Sequence, residues 1–225
     1  MRESALILSN RKTSRLRVTP EAALEVRAPL KASRAEIDRF VTSKERWIQD
    51  SLRTALERLK KKAEFRLTYG KSLTLRGEEY PIVPADGDEV YWSGGQFRFP
   101  RGLTPERIKR GAERLYQRLA KDYLTARTME LAEKTGAAPS KIKIGSAKTR
   151  WGSCSARGSI NYSWRLIMAD GPAIDYVIVH ELAHLTEMNH SRRFWAIVAA
   201  VLPDYRERQH SLRLPRKRLE EEGWD

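Results

Sequence analysis

The sequence predicts an α+β protein, with a basic N-terminal region of β-strands and a long helix. A second domain follows, with a small antiparallel sheet and a helix that carries a histidine pair. Three observations lead there. Apolar and polar residues alternate around 16–26, 73–99 and 142–166, the period of half-buried strands. Apolar residues recur at helical spacing over 33–62, and start and stop signals bound a second long helix over 104–136. Three of the chain's four histidines, His180, His184 and His190, crowd onto one stretch whose pattern is helical. The sequence divides into regions 1–103 and 104–225.

Leu16/Val18 and Leu24/Val26 mark two short strands, with Thr19-Pro20-Glu21 as the turn. A helix starts at Ser33, where Glu36 completes a capping box. Its stripe is Ile37, Phe40, Val41, Ile48, Leu52, Leu56 and Leu59. It closes on Lys60-Lys61-Lys62, cations that suit a helix C-terminus. Residues 66–100 read as a β-meander built on Leu73/Leu75, Tyr80/Ile82, Val90/Trp92 and Phe97/Phe99. Its turns fall at Arg76-Gly77-Glu78, Asp86-Gly87-Asp88 and Ser93-Gly94-Gly95. A second long helix opens at Thr104-Pro105 and closes near Gly136.

Ile142/Ile144 and Ile160/Tyr162/Trp164/Leu166 mark two further strands, joined through the loop 150–158. If the strand 159–166 lies at a sheet edge beside the histidines, a peptide can pair with its backbone. A helix with Pro172 near its start carries Tyr176 to Met188. A shorter one, Ser191 to Leu202, stops at Pro203, and the charged tail from Asp204 is helical. Trp151, Trp164 and Trp195 are expected in the core.

The 225 residues suffice for one large domain or two small ones with a real core. With 40% hydrophobic and 32% charged residues, the composition excludes collagen, general disorder and a membrane bundle. No apolar run approaches the ~18 residues that a spanning helix needs. The run Ala5 to Leu8 is too short for a signal-peptide core, so a cytoplasmic protein is expected, in keeping with a single cysteine, Cys154. The net charge of +14 is uneven: +8 over residues 1–66, −1 over 67–103, +7 over 104–150 and zero over 151–225. The two basic helical regions are candidate nucleic-acid surfaces, or simply solvated faces. The runs Lys60–Lys62 and Arg216–Arg218 lack the interleaved aromatics of a stacking surface.

The stretch His180-Glu181-Leu182-Ala183-His184 is H-E-x-x-H. Four residues apart on a helix puts both imidazoles on one face, where they can hold one metal ion. Glu181 then sits where it can reach a metal-bound water. The third ligand is open between His190 and Glu187. On a continuous helix His190 points away, so the chain must break between Glu187 and Asn189, with Asn189 in the left-handed conformation. Glu187 lies on the ligand face but reaches poorly along the axis. Cys154 is a candidate fourth ligand that would close the site and make it structural. Cys154 with His210 as base is a thiol-nucleophile alternative. Arg165 and Tyr176 are candidates for stabilising an oxyanion.

The spacing to His190 fits the metzincins, but Glu187 occupies their glycine position and no methionine follows His190. The sequence instead resembles the YgjP-like metallopeptidases, relatives of the SprT-like and WLM zinc proteases. The resemblance lies in Thr149-Arg150-Trp151-Gly152-Ser153-Cys154, Trp164-Arg165-Leu166, Val177–His184, Asn189-His190, Phe194-Trp195 and Leu202-Pro203-Asp204-Tyr205. Arg27-Ala28-Pro29 and Trp47-Ile48 extend it towards the N-terminus. It implies a zincin-like catalytic domain that hydrolyses peptide or protein substrates. It further implies one Zn2+ per chain on His180, His184 and His190, with Glu181 as the catalytic residue. The alternative from another class is a nucleic-acid-associated module with a structural or inactive metal site.

Overall fold

The computed structural model describes residues 5–224. They form two compact units, residues up to 65 together with 220–223, and residues 66–219 together with Trp224. The division expected at 103/104 falls inside the second unit, where the strand before it and the helix after it share a core.

In the first unit the strands β1 (Ala5–Ser9), β2 (Arg15–Val18) and β3 (Leu24–Pro29) form a sheet of order β1-β3-β2. The alternation seen in the sequence sets the register: Leu16 lies opposite Val26 and Val18 opposite Leu24. One face buries Val26 and Ala28 against Ile37, with Leu16, Leu24 and Val41 packed around them. The helix α1 (Arg34–Thr42) starts on the expected capping box, Ser33 and Glu36 each bonding the other's backbone. The single helix expected over 33–62 is in fact two, because α1 ends and α2 (Glu45–Glu64) restarts. The apolar stripe has a gap between Val41 and Ile48. There the Ser43 hydroxyl donates to the Phe40 carbonyl at 2.7 Å, and the Lys44 amide bonds the Val41 carbonyl in a tighter turn.

The second unit opens with a four-stranded sheet. Its strands are β4 (Ser72–Leu75), β5 (Glu78–Ala85), β6 (Tyr91–Ser93) and β7 (Gln96–Pro100), in the order β4-β5-β7-β6. This is not the simple meander expected. The two-residue turn at Gly94-Gly95 folds β7 back inside β6, so β7 pairs parallel to β5 and antiparallel to β6. The inner position suits β7, whose Phe97 and Phe99 are fully buried. Phe97 meets Tyr116 of the long helix α3 (Pro105–Thr135) edge-on, and Gly111 of that helix makes room for the ring of Phe99. Helix α3 runs from a Thr104 cap to Gly136 in the left-handed conformation, as the sequence indicates.

The second sheet holds β8 (Lys141–Gly145), β9 (Gly152–Cys154) and β10 (Ser159–Ser163) in the order β8-β10-β9. The sheet is mixed rather than wholly antiparallel. The turn at Ser155–Gly158 makes β9 and β10 antiparallel neighbours, while β8 lies parallel on the other side of β10. The strand expected to reach Leu166 stops at Ser163, and Trp164–Met168 coils into a 3-10 helix. All five of its residues are buried, which a strand with two opposite faces does not offer them here. Trp164 stacks on Tyr116 at 5.8 Å. Because β10 is central, it offers no edge for a peptide.

Four helices follow: α4 (Gly171–Ala183), α5 (Arg192–Val201), α6 (Tyr205–Ser211) and α7 (Arg213–Glu222). Helix α4 is buried nearly all round and packs against α3, α5, α6 and β9. Its start is fixed twice. Asp170 caps it, accepting from the Ala173 amide at 2.7 Å, and Asp175 takes a bidentate fork from Arg127 of α3, both contacts 2.7 Å. Among the described residues no helix is long and apolar enough to cross a membrane.

The β4–β5 hairpin also braces α4. Arg76 and Gly77 both have positive φ, and their amides donate to the carbonyls of Ile167 and Met168. A Cβ on Gly77 would lie 2.9 Å from the Cβ of Asp170. Gly77→Ala is therefore expected to cost about 2 kcal/mol. Urea unfolding checks this as a lowered midpoint at unchanged slope.

Candidate metal centre

Helix α4 carries His180 and Glu181 on its last turn, and His184 is its C-terminal cap. The helix ends before the 187–189 break expected, and Asn189 is not left-handed. A hydrogen-bonded turn ends it instead. The Leu185 amide bonds the Leu182 carbonyl, and the amides of Thr186 and Glu187 both bond the Ala183 carbonyl. The chain then doubles back and returns His190 to the pair. Donor atoms of His180, His184 and His190 all lie within 4.8 Å of one another. Phe194, fully buried on α5, forms the floor, with its ring 4.5–4.9 Å from each of the three imidazoles. Trp195 stacks along His190 and on Tyr205.

The nitrogens are those of a cation site. Nε2 of His180 and Nε2 of His190 are 3.1 Å apart. Two donors bound tetrahedrally at ~2.0–2.1 Å would be ~3.3–3.4 Å apart. Nδ1 of His184 faces the Glu187 carbonyl at 3.0 Å, which places its proton there and leaves Nε2 as the lone-pair nitrogen. Burial, together with the two neighbouring imidazoles, holds His180 down at about 4, and burial lowers His184. Both rings are thus neutral near pH 7, the form that binds metals. Of the buried polar atoms that lack a hydrogen-bond partner among the described residues, two lie in this site, His180 Nδ1 and Glu181 Oε2. These donors suit one metal ion.

Glu181 is not one of the converging donors. Its carboxylate lies against the backbone of β9, where a Cβ on Gly152 would sit 2.6 Å from Oε1. Burial pushes this carboxyl up to about 7, with Arg150 pulling the other way. A cavity of about 370 Å³ opens beside it, lined by Trp151, Gly152, Tyr176, His180, Arg213 and Arg216 among others.

The family model for the YgjP-like metallopeptidase domain matches residues 12–214. The chain belongs to the YgjP-like metallopeptidase family. It is therefore a peptidase. Among solved structures, the crystal structure of the metallopeptidase zymogen of Pyrococcus abyssi abylysin matches at 22% identity and a TM-score of 0.38. That match covers 40% of this chain and 92% of that one. No curated protein matches the sequence significantly.

Other residues singled out from the sequence fall elsewhere in this YgjP-like chain. Glu187 contributes its carbonyl to His184, while its carboxylate faces Arg193 at 3.9 Å. Cys154 does not join the three histidines. Burial raises its thiol pKa, the opposite of an activated nucleophile, and its sulfur bonds the Ser155 carbonyl. His210 is exposed on α6. Arg165 is buried away from the cavity, bonding the carbonyls of Trp224 and Ser146 and lying over Trp164. Tyr176 lines the cavity. Trp164 is core as expected, whereas Trp151 is half-buried on the cavity wall and Trp195 half-buried beside His190.

Sequence reasoning passed over Gly152 as a functional position, because nothing in the order of residues says that residue 152 meets residue 181. Its lack of a side chain is what admits the carboxylate. Gly152→Ala is expected to displace Glu181 and lower peptide hydrolysis on the order of 10²-fold. Metal content should stay unchanged. Parallel metal analysis and hydrolysis assays check both halves.

Proposed function

We propose that the chain is a zinc peptidase that holds one Zn2+ on His180, His184 and His190 and uses Glu181 as general base. The single observation that carries this is the convergence of three imidazoles beside a buried carboxylate that is not among them. Zinc bound there supplies a Lewis acid that polarises the scissile carbonyl and acidifies a water. Glu181 takes the proton of the attacking water and returns it to the leaving amine. Its elevated pKa keeps it near balance at neutral pH, which suits a group that must both accept and donate. The Tyr176 hydroxyl, pushed up to about 12 chiefly by burial, stays protonated and is a donor available to the developing oxyanion.

The substrate backbone has an edge to pair with, on β9 rather than β10. The Ser163 amide bonds the Trp151 carbonyl and the Ser155 amide bonds the Ser159 carbonyl. Alternate residues of β9 therefore face β10, and the backbone groups of Gly152 and Cys154 turn to the open side. A peptide laid there runs past Glu181. A purely structural metal site would want a fourth protein ligand. Among the described residues only the three histidines form such a group, which favours an open catalytic site over the structural alternative.

The purified protein is expected to carry about one zinc ion per chain, and His184→Ala to lose it, as metal analysis after dialysis shows. Full occupancy in that variant overturns the ligand set. Glu181→Gln keeps the size of the side chain and removes the base. It should retain zinc while hydrolysis of an unstructured protein such as casein falls at least ~10²-fold. Loss of zinc in this variant would instead make Glu181 a ligand or a fold-supporting residue.

A further inference from the structure

The cavity beside the histidines carries an unbalanced charge. Arg213 and Arg216 stand three residues apart on α7, hence on one face of it, and both line the cavity with His180 and Glu181. Neither is paired with a carboxylate among the described residues. Several other arginines of this unit do have such a partner. Arg127 is paired with Asp175 and Glu130, Arg208 with Asp204, and Arg218, on the same helix, with Glu79. Among the described residues the single carboxylate lining the cavity is Glu181, which the chemistry already uses.

Arg216 is held in place rather than loose. Its guanidinium lies 5.4 Å from the centre of the Trp151 ring, and one Nη donates to the Thr149 carbonyl at 3.1 Å. A guanidinium has five N–H donors in a rigid fork. Among the described residues this one spends a single donor, and it lines the cavity. Arg213 also lines the cavity and is exposed. A carboxylate is the planar anion that such a fork binds with two parallel hydrogen bonds. Beside it, Trp151 and Leu212 offer apolar surface for a short side-chain stem.

We infer that Arg213 and Arg216 form a subsite that selects peptides by a carboxylate close to the scissile bond. That carboxylate is either an acidic side chain or the free C-terminus of the substrate. The inference rests on the peptidase reading of the histidine site and adds the class of substrate to it. In this subsite Arg216 is the fixed partner and Arg213 the exposed one.

The test uses the zinc-loaded full chain and four short peptides of otherwise identical neutral sequence. One is amide-capped, one capped with an internal glutamate, one capped with lysine at that position, and one neutral with a free C-terminus. Cleavage is followed as kcat and KM, and binding by anisotropy with reduced-amide analogues that cannot be cut. A carboxylate-bearing peptide is expected to bind about tenfold or more tightly than the capped neutral one, the effect of one charge-assisted contact, with the difference falling in KM. Whether the internal glutamate or the free C-terminus gains tells which source the subsite reads.

Arg216→Gln should collapse the ratio between carboxylate and neutral peptides towards one. Arg213→Glu should turn the preference towards the lysine peptide, a reversal that a merely structural arginine would not produce. Equal binding of all four peptides by the wild type overturns the inference, and so does an unchanged ratio in both variants. If the wild type binds with the expected preference but cuts none of the peptides, the subsite stands and the peptidase mechanism fails.

Discussion

A helix that is apolar on every side has to be covered on every side, and the rest of the second unit is arranged around that requirement of α4. From Ala173 to Ala183 nearly every side chain is buried, so α3, α5, α6 and β9 all pack against it. The polar ends of such a helix are where error would enter, and both are tied. At the start stand the Asp170 cap, the Arg127 fork on Asp175 and the hairpin tip at Gly77. At the end the turn 184–187 closes on the Ala183 carbonyl, and the ring of His184 meets the Glu187 carbonyl. A rigid helix bound at both ends holds His180 and Glu181 at fixed depth, which a site built on a loop would not do.

The interior position also sets the chemistry. Imidazoles in water take up protons near pH 6.5. Crowded together over Phe194, His180 and His184 resist that charge and stay available as neutral donors. The same exclusion of water acts in the opposite sense on the carboxyl of Glu181, which it holds towards its protonated form. One physical cause, burial, thus keeps the imidazoles neutral and the carboxyl near its protonated form within a single helical turn. Gly152 extends the principle to β9, because the strand can come this close only where no side chain intervenes.

Several elements were legible from local pattern, and those that were not share a cause. The Ser33 capping box, the Thr104-to-Gly136 helix, the alternation of β2 and β3 and the two-residue turns are decided by neighbours in sequence. The insertion of β7 between β5 and β6 and the coil of Trp164–Met168 are not. Each depends on what lies across the core. Phe97 and Phe99 draw β7 inward against α3, and Tyr116 and Trp224 receive Trp164.

The same division runs through the site. By itself the sequence determined that His180 and His184 lie one turn apart with Glu181 beside them, since a helical period converts spacing directly into position. It also determined that His190 could join them only if the chain turned back. Where the chain turns, that Glu187 serves through its carbonyl, that β9 and not β10 is the open edge, and that Arg213 and Arg216 face the cavity were decided by tertiary structure alone. These relations join residues far apart along the chain, and only the packing of α4 against its neighbours brings them within reach.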